Sequence, residues 1–525
     1  MRASFDFASV GRQAGDARTG APALLERLGA RPLPQLGELL TLEYLEQQRV
    51  LPLAADDGRV VVACAGEPDE QVLGELAVLF DAPVETAPAD EHELIAAARR
   101  LYAPEEATAA ELIAGLEEEA TTSSSSSSAD EESAHDLEAL ANQAPVVRLV
   151  NLLLAEAVAA QASDVHLEAE GRGLRVRYRI DGVLQDAPAP PPQLRAAVIS
   201  RLKIMAELDI AERRVPQDGR IRLRVSGREL DVRVSTLPTL HGESVVLRLL
   251  DKAGTRIELT GLGMAADTLS ALLAAAKRPQ GVLLSTGPTG SGKTTTLYAL
   301  LERVRTGREK IVSVEDPVEY ELAGVAQVPV RPQVGLGFAR ALRAILRQDP
   351  DILLVGEMRD PETAEICIQA ALTGHLVLST LHTNDAPSAL TRLLDLGVPD
   401  YLVASTVEAV LAQRLVRRVC HSCAEEVAPD ETAAREMAAD GVSLERVRRG
   451  RGCAECRGTG YRGRTGIFEL VTVDDELRAA LLRRRDAGAL RCLALERGMR
   501  PLRVDGWRQV AAGVTTPEEV LRVTV

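Results

Sequence analysis

Polar and apolar residues alternate along this chain with two different periods. Over 174–180, 221–225 and 230–234 every second residue is apolar, which predicts strands with one buried face. The outward positions of these strands are rich in arginine. Upstream, 145–161 is apolar at helical spacing, with Pro145 near the first turn, and predicts a helix. Residues 139–250 therefore read as an α+β domain with an arginine-rich sheet face.

From residue 281 onward the pattern changes. Short apolar runs at Gly281–Thr286, 310–314, Ile352–Val355 and 376–380 alternate with helical segments. Buried strands separated by helices predict a mostly parallel, helix-covered sheet. Nearer the start, 59–64 predicts a strand and Glu91–Tyr102 a helix, within a small α/β domain that carries no catalytic constellation.

Segment 103–138 fits neither pattern. It contains eleven carboxylates, no Lys or Arg, and a serine run at 123–128. Such a stretch buries too little apolar surface to fold alone, so a tether is expected, with 107–120 as a short helix within it. The predicted fold class is multidomain α/β. Its parts are a domain at 1–105 whose first 20 residues are loose, a linker at 106–138, the α+β domain at 139–250, and an α/β domain at 251–525. That last domain includes a cysteine-bearing insertion at about 417–465 and terminal helices.

Composition narrows the function. The net charge of −16 disfavours general binding to nucleic acid, and 2% aromatics leave little surface for stacking on bases. The N-terminal residues do not form a secretion signal, and no apolar run is long enough to span a membrane. Seven cysteines, four of them in two C-x-x-C pairs, suggest metal binding in a reducing cytosol.

The sharpest motif is Gly287-Pro288-Thr289-Gly290-Ser291-Gly292-Lys293-Thr294. It follows a predicted strand and precedes a predicted helix beginning at Thr295, the context a phosphate-binding loop requires. Glycines let backbone N–H groups turn toward phosphate, and the helix N-terminus adds positive potential. Lys293 is expected to reach the β/γ-phosphates of ATP, and Thr294 to ligate Mg²⁺.

Three further strand ends bear on this loop. The strand before Glu357 places that acid to hold Mg²⁺ through water. The strand at 311–314 runs into Glu315-Asp316-Pro317-Val318-Glu319, where one acid would orient an attacking water. His375 and His382 bracket a third strand. Separately, Cys420, Cys423, Cys453 and Cys456 supply four thiolates for a closed structural Zn²⁺ site, with a helix over about 430–440 filling the gap between the pairs. The surrounding Arg414, Arg417, Arg418, Arg446, Arg448, Arg449, Arg451, Arg457, Arg462 and Arg464 suggest a face for anionic lipid or an acidic partner.

These motifs, in this order, resemble the secretion-and-pilus ATPases, the GspE/PilB family of type II secretion and type IV pilus motors. The match spans roughly residues 140–525 and includes Ala162-Ser-Asp-Val-His166-Leu-Glu168, Pro216-Gln-Asp-Gly-Arg220, the phosphate loop, the acidic cluster, Thr373-Gly-His-Leu376, Thr380-Leu-His-Thr383 and the four cysteines. The resemblance implies a homo-hexamer with a RecA-like core behind a PAS-like domain. It implies that Glu319 is the catalytic glutamate, Glu357 the Walker B glutamate, and His375 and His382 a histidine box. Arg233 and Arg248 match arginines that approach phosphate, and Arg343, Arg347, Arg359 and Arg392 match others around the site. A small N-terminal docking domain, partners of the GspL and GspF type, and cytoplasmic residence at the inner membrane follow from the same resemblance. It favours type II secretion, with pilus extension as the alternative and a nucleic-acid motor less favoured.

Overall fold

The structure is a computed structural model. It describes residues 30–32, 44–45, 48–55, 60–66, 69–80, 83–102, 109, 113, 134–225, 228–251, 258–483 and 486–524. The expectations for 1–20 and for the serine run lie outside these residues. So does most of the helix expected over 107–120, of which Ala109 and Ile113 are described and helical. The chain divides into two compact units, 1–124 and 125–525.

In the first unit, β1 (Ala30–Pro32), β2 (Val50–Ala55), β3 (Val60–Cys64) and β4 (Val84–Pro88) form a sheet in that order, antiparallel except for the β3–β4 pair. Successive residues of β3 point to opposite faces. Val60, Val62 and Cys64 pack with Val72 and Leu76 of α1 (Glu70–Phe80). Ala63 packs with Leu94, Ala97 and Ala98 of α2 (Glu91–Tyr102).

The second unit opens with α3 (Ala134–Ala141) and α4 (Ala144–Ala159). Pro145 occupies the first turn of α4, where its missing N–H costs nothing. An antiparallel sheet follows, made of β5 (Ala162–Glu170), β6 (Gly173–Ile180), β7 (Val183–Ala187), β8 (Gln217–Val225), β9 (Arg228–Thr239) and β10 (Gly242–Asp251), in the order β7-β6-β5-β10-β9-β8. One face buries Val165, Leu167 and Leu247 against Leu153 and Leu154 of α4 and Val198 and Leu202 of α5 (Arg195–Met205).

The other face of this sheet is charged, and register aligns its charges. Arg220 lies opposite Arg233, Arg233 opposite Arg248, Arg248 opposite Asp164, and Asp164 opposite Arg179. Five strands thus contribute one residue each to a single rung, with one acid among four arginines.

The largest sheet contains β11 (Gly281–Thr286), β12 (Ile311–Glu315), β13 (Val325–Pro329), β14 (Ile352–Val355), β15 (Leu376–Leu381), β16 (Val407–Val419) and β19 (Tyr461–Thr472), in the order β13-β12-β14-β15-β11-β16-β19. All neighbours are parallel except β16 and β19. Helices cover both faces. Leu283 packs toward α6 (Ala266–Ala276) and α7 (Lys293–Val304), whereas Val282 and Leu284 pack toward α8 (Phe338–Ile345), α9 (Pro361–Leu372) and α10 (Ala386–Asp395). This two-sided burial explains why these strands are apolar throughout.

Between β16 and β19 the chain makes a small lobe. It holds β17 (Ala424–Val427), an α-helix at Glu431–Ala439 capped by the Asp430 side chain, and β18 (Val447–Gly450). The C-terminal helices Leu502–Ala511 and Pro517–Val523 pack back on β19 and β16.

Candidate nucleotide site and cysteine cluster

The phosphate-type loop is delivered by β11, whose six residues are fully buried, and it ends where α7 starts at Lys293. The helix thus begins two residues earlier than the pattern suggested. Gly287, Gly290 and Gly292 adopt φ of 149°, 78° and 87°, a region side chains avoid. At Gly287 a Cβ would also lie 2.6 Å from the Gln413 carbonyl oxygen. The loop is therefore built for backbone atoms alone at those points.

Pro288, Thr289 and Gly290 are exposed, Ser291 and Lys293 are buried, and Thr294 and Thr295 are half-buried. Lys293 donates from Nζ to the carbonyls of Gly287 at 2.8 Å and Pro288 at 3.0 Å. Burial brings its ammonium down to about 8, with Glu357 pulling upward and Arg414 adding repulsion.

Beyond β14, Glu357 is shared between two basic side chains. Arg359 approaches it through Nε at 2.6 Å and His382 through Nε2 at 3.3 Å. His382 is held near the loop because Thr383 and Thr286 are joined, with the Thr383 N–H donating to Thr286 Oγ1 at 2.9 Å. Lys293, Glu357 and His382 therefore gather at the carboxyl ends of the parallel strands, where open α/β sheets bind ligands.

The two carboxylates of the acidic cluster differ in kind. Glu315 ends β12 and is 3% exposed. The Tyr298 hydroxyl donates to it, as do Ser313 Oγ at 2.5 Å and Gln327 Nε2 at 3.2 Å. Its oxygens are already engaged. Glu319 reaches solvent and faces the charged sheet. Loss of hydrating water pushes its carboxyl up, against the pull of Arg233 and Arg248, while Glu315 pushes further up. Burial lowers Arg233, which nevertheless keeps its charge beside Glu319.

Other expectations do not converge here. His375 precedes β15 at the opposite end of the strand from His382. Its Nδ1 contacts the Ala370 carbonyl at 2.8 Å and Thr373 Oγ1 at 3.2 Å, and its own carbonyl accepts from Gly281 at the start of β11. A six-residue strand spans about 20 Å, so the loop and His375 lie at opposite edges of the sheet within one chain. Arg343 pairs with Glu362, Arg347 donates to the Arg343 carbonyl, and Arg392 lies exposed in the last turn of α10. Among the described residues no contact ties these three to the loop.

Gln413 and Arg414 on β16 lie directly against the loop, although no local motif marks them as site residues. Arg414 belongs to this wall and not to the basic lobe because β16 pairs with β11, a register that local sequence does not encode.

The four cysteines meet. Cys420 and Cys453 sulfurs are 3.8 Å apart, Cys423 and Cys456 3.8 Å, and Cys453 and Cys456 3.7 Å. Sulfurs at about 2.3 Å from a tetrahedral ion would be separated by about 3.8 Å, so the donor set fits zinc. The N–H groups of Cys453 and Gly460 point at the Cys456 sulfur at 3.1 and 3.2 Å, which favours a thiolate. The basic character of the lobe is largely neutralised. Arg417, Arg446, Arg449, Arg451, Arg462 and Arg464 each pair with an acid, leaving Arg418, Arg448 and Arg457, together with Arg414 at the loop, without an ion pair among the described residues.

Comparison with known proteins agrees with this geometry. Residues 139–522 match the family described as type II/IV secretion system protein, and residues 21–108 match the MshEN domain. Type II secretion system protein E of Xanthomonas campestris pv. campestris is 47% identical over 95% of this chain and 87% of its own. Type II secretion system ATPase E of Vibrio cholerae serotype O1 is 49% identical over 74% of this chain and 77% of its own. Among solved structures, the ATPase DotB of Yersinia pseudotuberculosis superposes with a TM-score of 0.53 at 20% identity, covering 72% of this chain and 93% of that one, a likeness of fold. With a glycine loop at the head of a parallel sheet and the match covering most of its length, this chain belongs to the type II/IV secretion system protein family.

Proposed function

We propose that the chain is the ATP-hydrolysing motor of a type II secretion system, working as a homo-hexamer that powers pseudopilus assembly and protein export. The observation that carries this reading is the placement of Lys293. Its ammonium caps the carbonyls of Gly287 and Pro288 at the head of α7, where phosphate oxygens would replace them as partners. The relatives named above are secretion proteins, which favours export over pilus extension.

ATP is the substrate. Gly287 through Thr295 cradle its phosphates, and Lys293 neutralises the β/γ-oxygens. Oxygen donors from Thr294 and Glu357 suit Mg²⁺, which when bound supplies positive charge to those oxygens. Glu319 takes a proton from the attacking water, and its raised pKa brings its basicity closer to neutral pH. Arg233 and Arg248 stabilise charge that develops on the transferring phosphoryl group. Arg359 and His382 orient Glu357.

The sheet of β5–β10 serves as the PAS-like partner of a RecA-like core, and the first unit as a docking domain for inner-membrane components of the GspL and GspF type. Cys420, Cys423, Cys453 and Cys456 would hold Zn²⁺ with four thiolates, and the ion would then tie the lobe together. Among the described residues no helix is long and apolar enough to cross a membrane. Attachment to the cytoplasmic face of the inner membrane then runs through partner proteins. Contact of the lobe with anionic lipid would rest on Arg418, Arg448 and Arg457. Phosphate release from ATP by the purified full chain tests the central reading: activity that vanishes in Lys293→Ala supports it, and no turnover in any assembled state of the wild type overturns it.

A further inference from the structure

The floor of the phosphate loop is supplied by β16, and two adjacent residues make it. Gln413 is 1% exposed, and its Nε2 donates to the Ser291 carbonyl at 2.6 Å, near the end of the loop. At Gly292 an added Cβ would lie 3.1 Å from the same amide nitrogen. The Gln413 backbone carbonyl presses on Gly287, at the start of the loop. Arg414 braces that contact, with NH1 donating to the Gln413 carbonyl at 3.0 Å and lying 3.0 Å from a Cβ built on Gly287. Its NH2 donates to the Asn384 carbonyl at 2.8 Å. Asn384 follows His382 and Thr383, the segment bonded to Thr286.

Gln413 and Arg414 thus touch both ends of the loop and the segment that carries His382. Gln413 donates to a loop carbonyl, and Arg414 donates to the carbonyls of Gln413 and Asn384. In this state Lys293 also donates to loop carbonyls. Once phosphate oxygens take over the ammonium, those two bonds are lost. The Gln413 bond to Ser291 does not involve the ammonium, so it is independent of that exchange. A donor that holds the loop in its phosphate-ready shape before binding contributes to affinity by pre-organisation.

We propose that Gln413 and Arg414 are positioning residues for the phosphate loop, Gln413 holding its far end and Arg414 tying its near end to the segment bearing His382. This rests on reading the loop as the nucleotide site. The test uses the full chain, fluorescent N-methylanthraniloyl-ADP for affinity, and ATP turnover for kcat. If the wild type does not bind the probe, the nucleotide reading itself fails. If the wild type binds, Gln413→Leu and Arg414→Lys are expected to weaken the dissociation constant roughly tenfold, with kcat at saturating ATP changing less than about threefold. Arg308→Ala, an exposed position just before β12 and away from the loop, should match the wild type. Thermal melts establish that each variant is folded, and Gln413→Asn substitutes if Gln413→Leu does not fold. Affinities within about twofold of the wild type in folded variants overturn the proposal. A fall in kcat larger than the loss of affinity also overturns it, since that would mark a direct part in the chemistry.

Discussion

Arg248 donates through Nε to the carboxylate of Asp164 at 3.0 Å, and the two residues sit opposite each other on β10 and β5. Arg179 approaches the same carboxylate from β6 at 3.7 Å. Asp164 is therefore the counter-charge for a rung that otherwise holds only arginines. Its side chain is 9% exposed, whereas that of Arg248 is 57% exposed and turns easily into water. Replacing Asp164 with Asn should cost about 1–2 kcal/mol, below the range for a fully buried pair. Chemical denaturation at low and high salt checks this, since added salt should recover part of the loss by screening the arginines.

Glu319→Gln should retain nucleotide binding and lose hydrolysis by roughly 10²- to 10⁴-fold. The pH profile gives a second reading. The carboxyl pKa of Glu319 is raised, so the base is protonated at a higher pH than an ordinary glutamate. Turnover should fall as pH drops through that raised value, with the acid limb displaced upward from 4.5. Measuring kcat/KM against pH, which follows the nucleotide-free protein, locates the limb.

Lys293 supplies a test at the alkaline end. Phosphates bind its charged form, and the free protein loses that proton near pH 8. Above that pH, nucleotide binding must take up a proton, and affinity should fall by up to about tenfold per unit. Calorimetry at alkaline pH in buffers of different ionisation heat measures the uptake directly. The same depression bears on folding. Unfolded Lys293 binds its proton more tightly than folded Lys293, so its contribution favours the fold above 10.5 and is lost as pH falls through 10.5 toward 8.

The two histidines should separate. His382 contacts Glu357, so His382→Ala should lower kcat/KM by roughly tenfold. His375 bonds to Ala370 at the far edge of the sheet. His375→Ala should leave nucleotide affinity within about twofold and act on thermal stability instead. Equal losses of affinity in both variants would contradict this division.

The cysteine cluster predicts one zinc per chain by elemental analysis. A thiol reagent applied to the native protein should reach Cys492, the exposed cysteine. After chelation it should also reach the four cysteines of the cluster, and the melting temperature should drop. Cys453→Ser should lower metal content in the same way.

Much of this site was written in local sequence. The glycine loop was legible because only glycine suits its backbone, and the buried strands because their apolar runs admit no solvent face. The cysteines were legible from spacing, since two knuckles need four thiolates. What could not be read was register and partnership. Arg220, Arg233, Arg248 and Arg179 share a rung only because five strands pair with particular offsets. Glu315 and Glu319 looked alike until β12 extended one residue further and buried the first of them. The arginines of the lobe seemed a free basic face because their acids, such as Glu519, lie far away in sequence. His375 and His382 bracket one strand, so within a single chain they lie at opposite ends of β15, a separation that its length alone implies.

Strand β16 carries Gln413 beneath the phosphate loop and ends one residue before Cys420. Successive residues of a strand alternate faces, so the two features share a phase as well as a backbone. Removing one residue between Arg414 and Arg417 would turn the remainder of the strand over relative to its start. The register irregularity against β19 between Arg417 and Val419 is where this pairing already absorbs a shift. Changes in chain length should therefore be rejected on the loop side of that irregularity, where parity fixes which face Gln413 and Arg417 share.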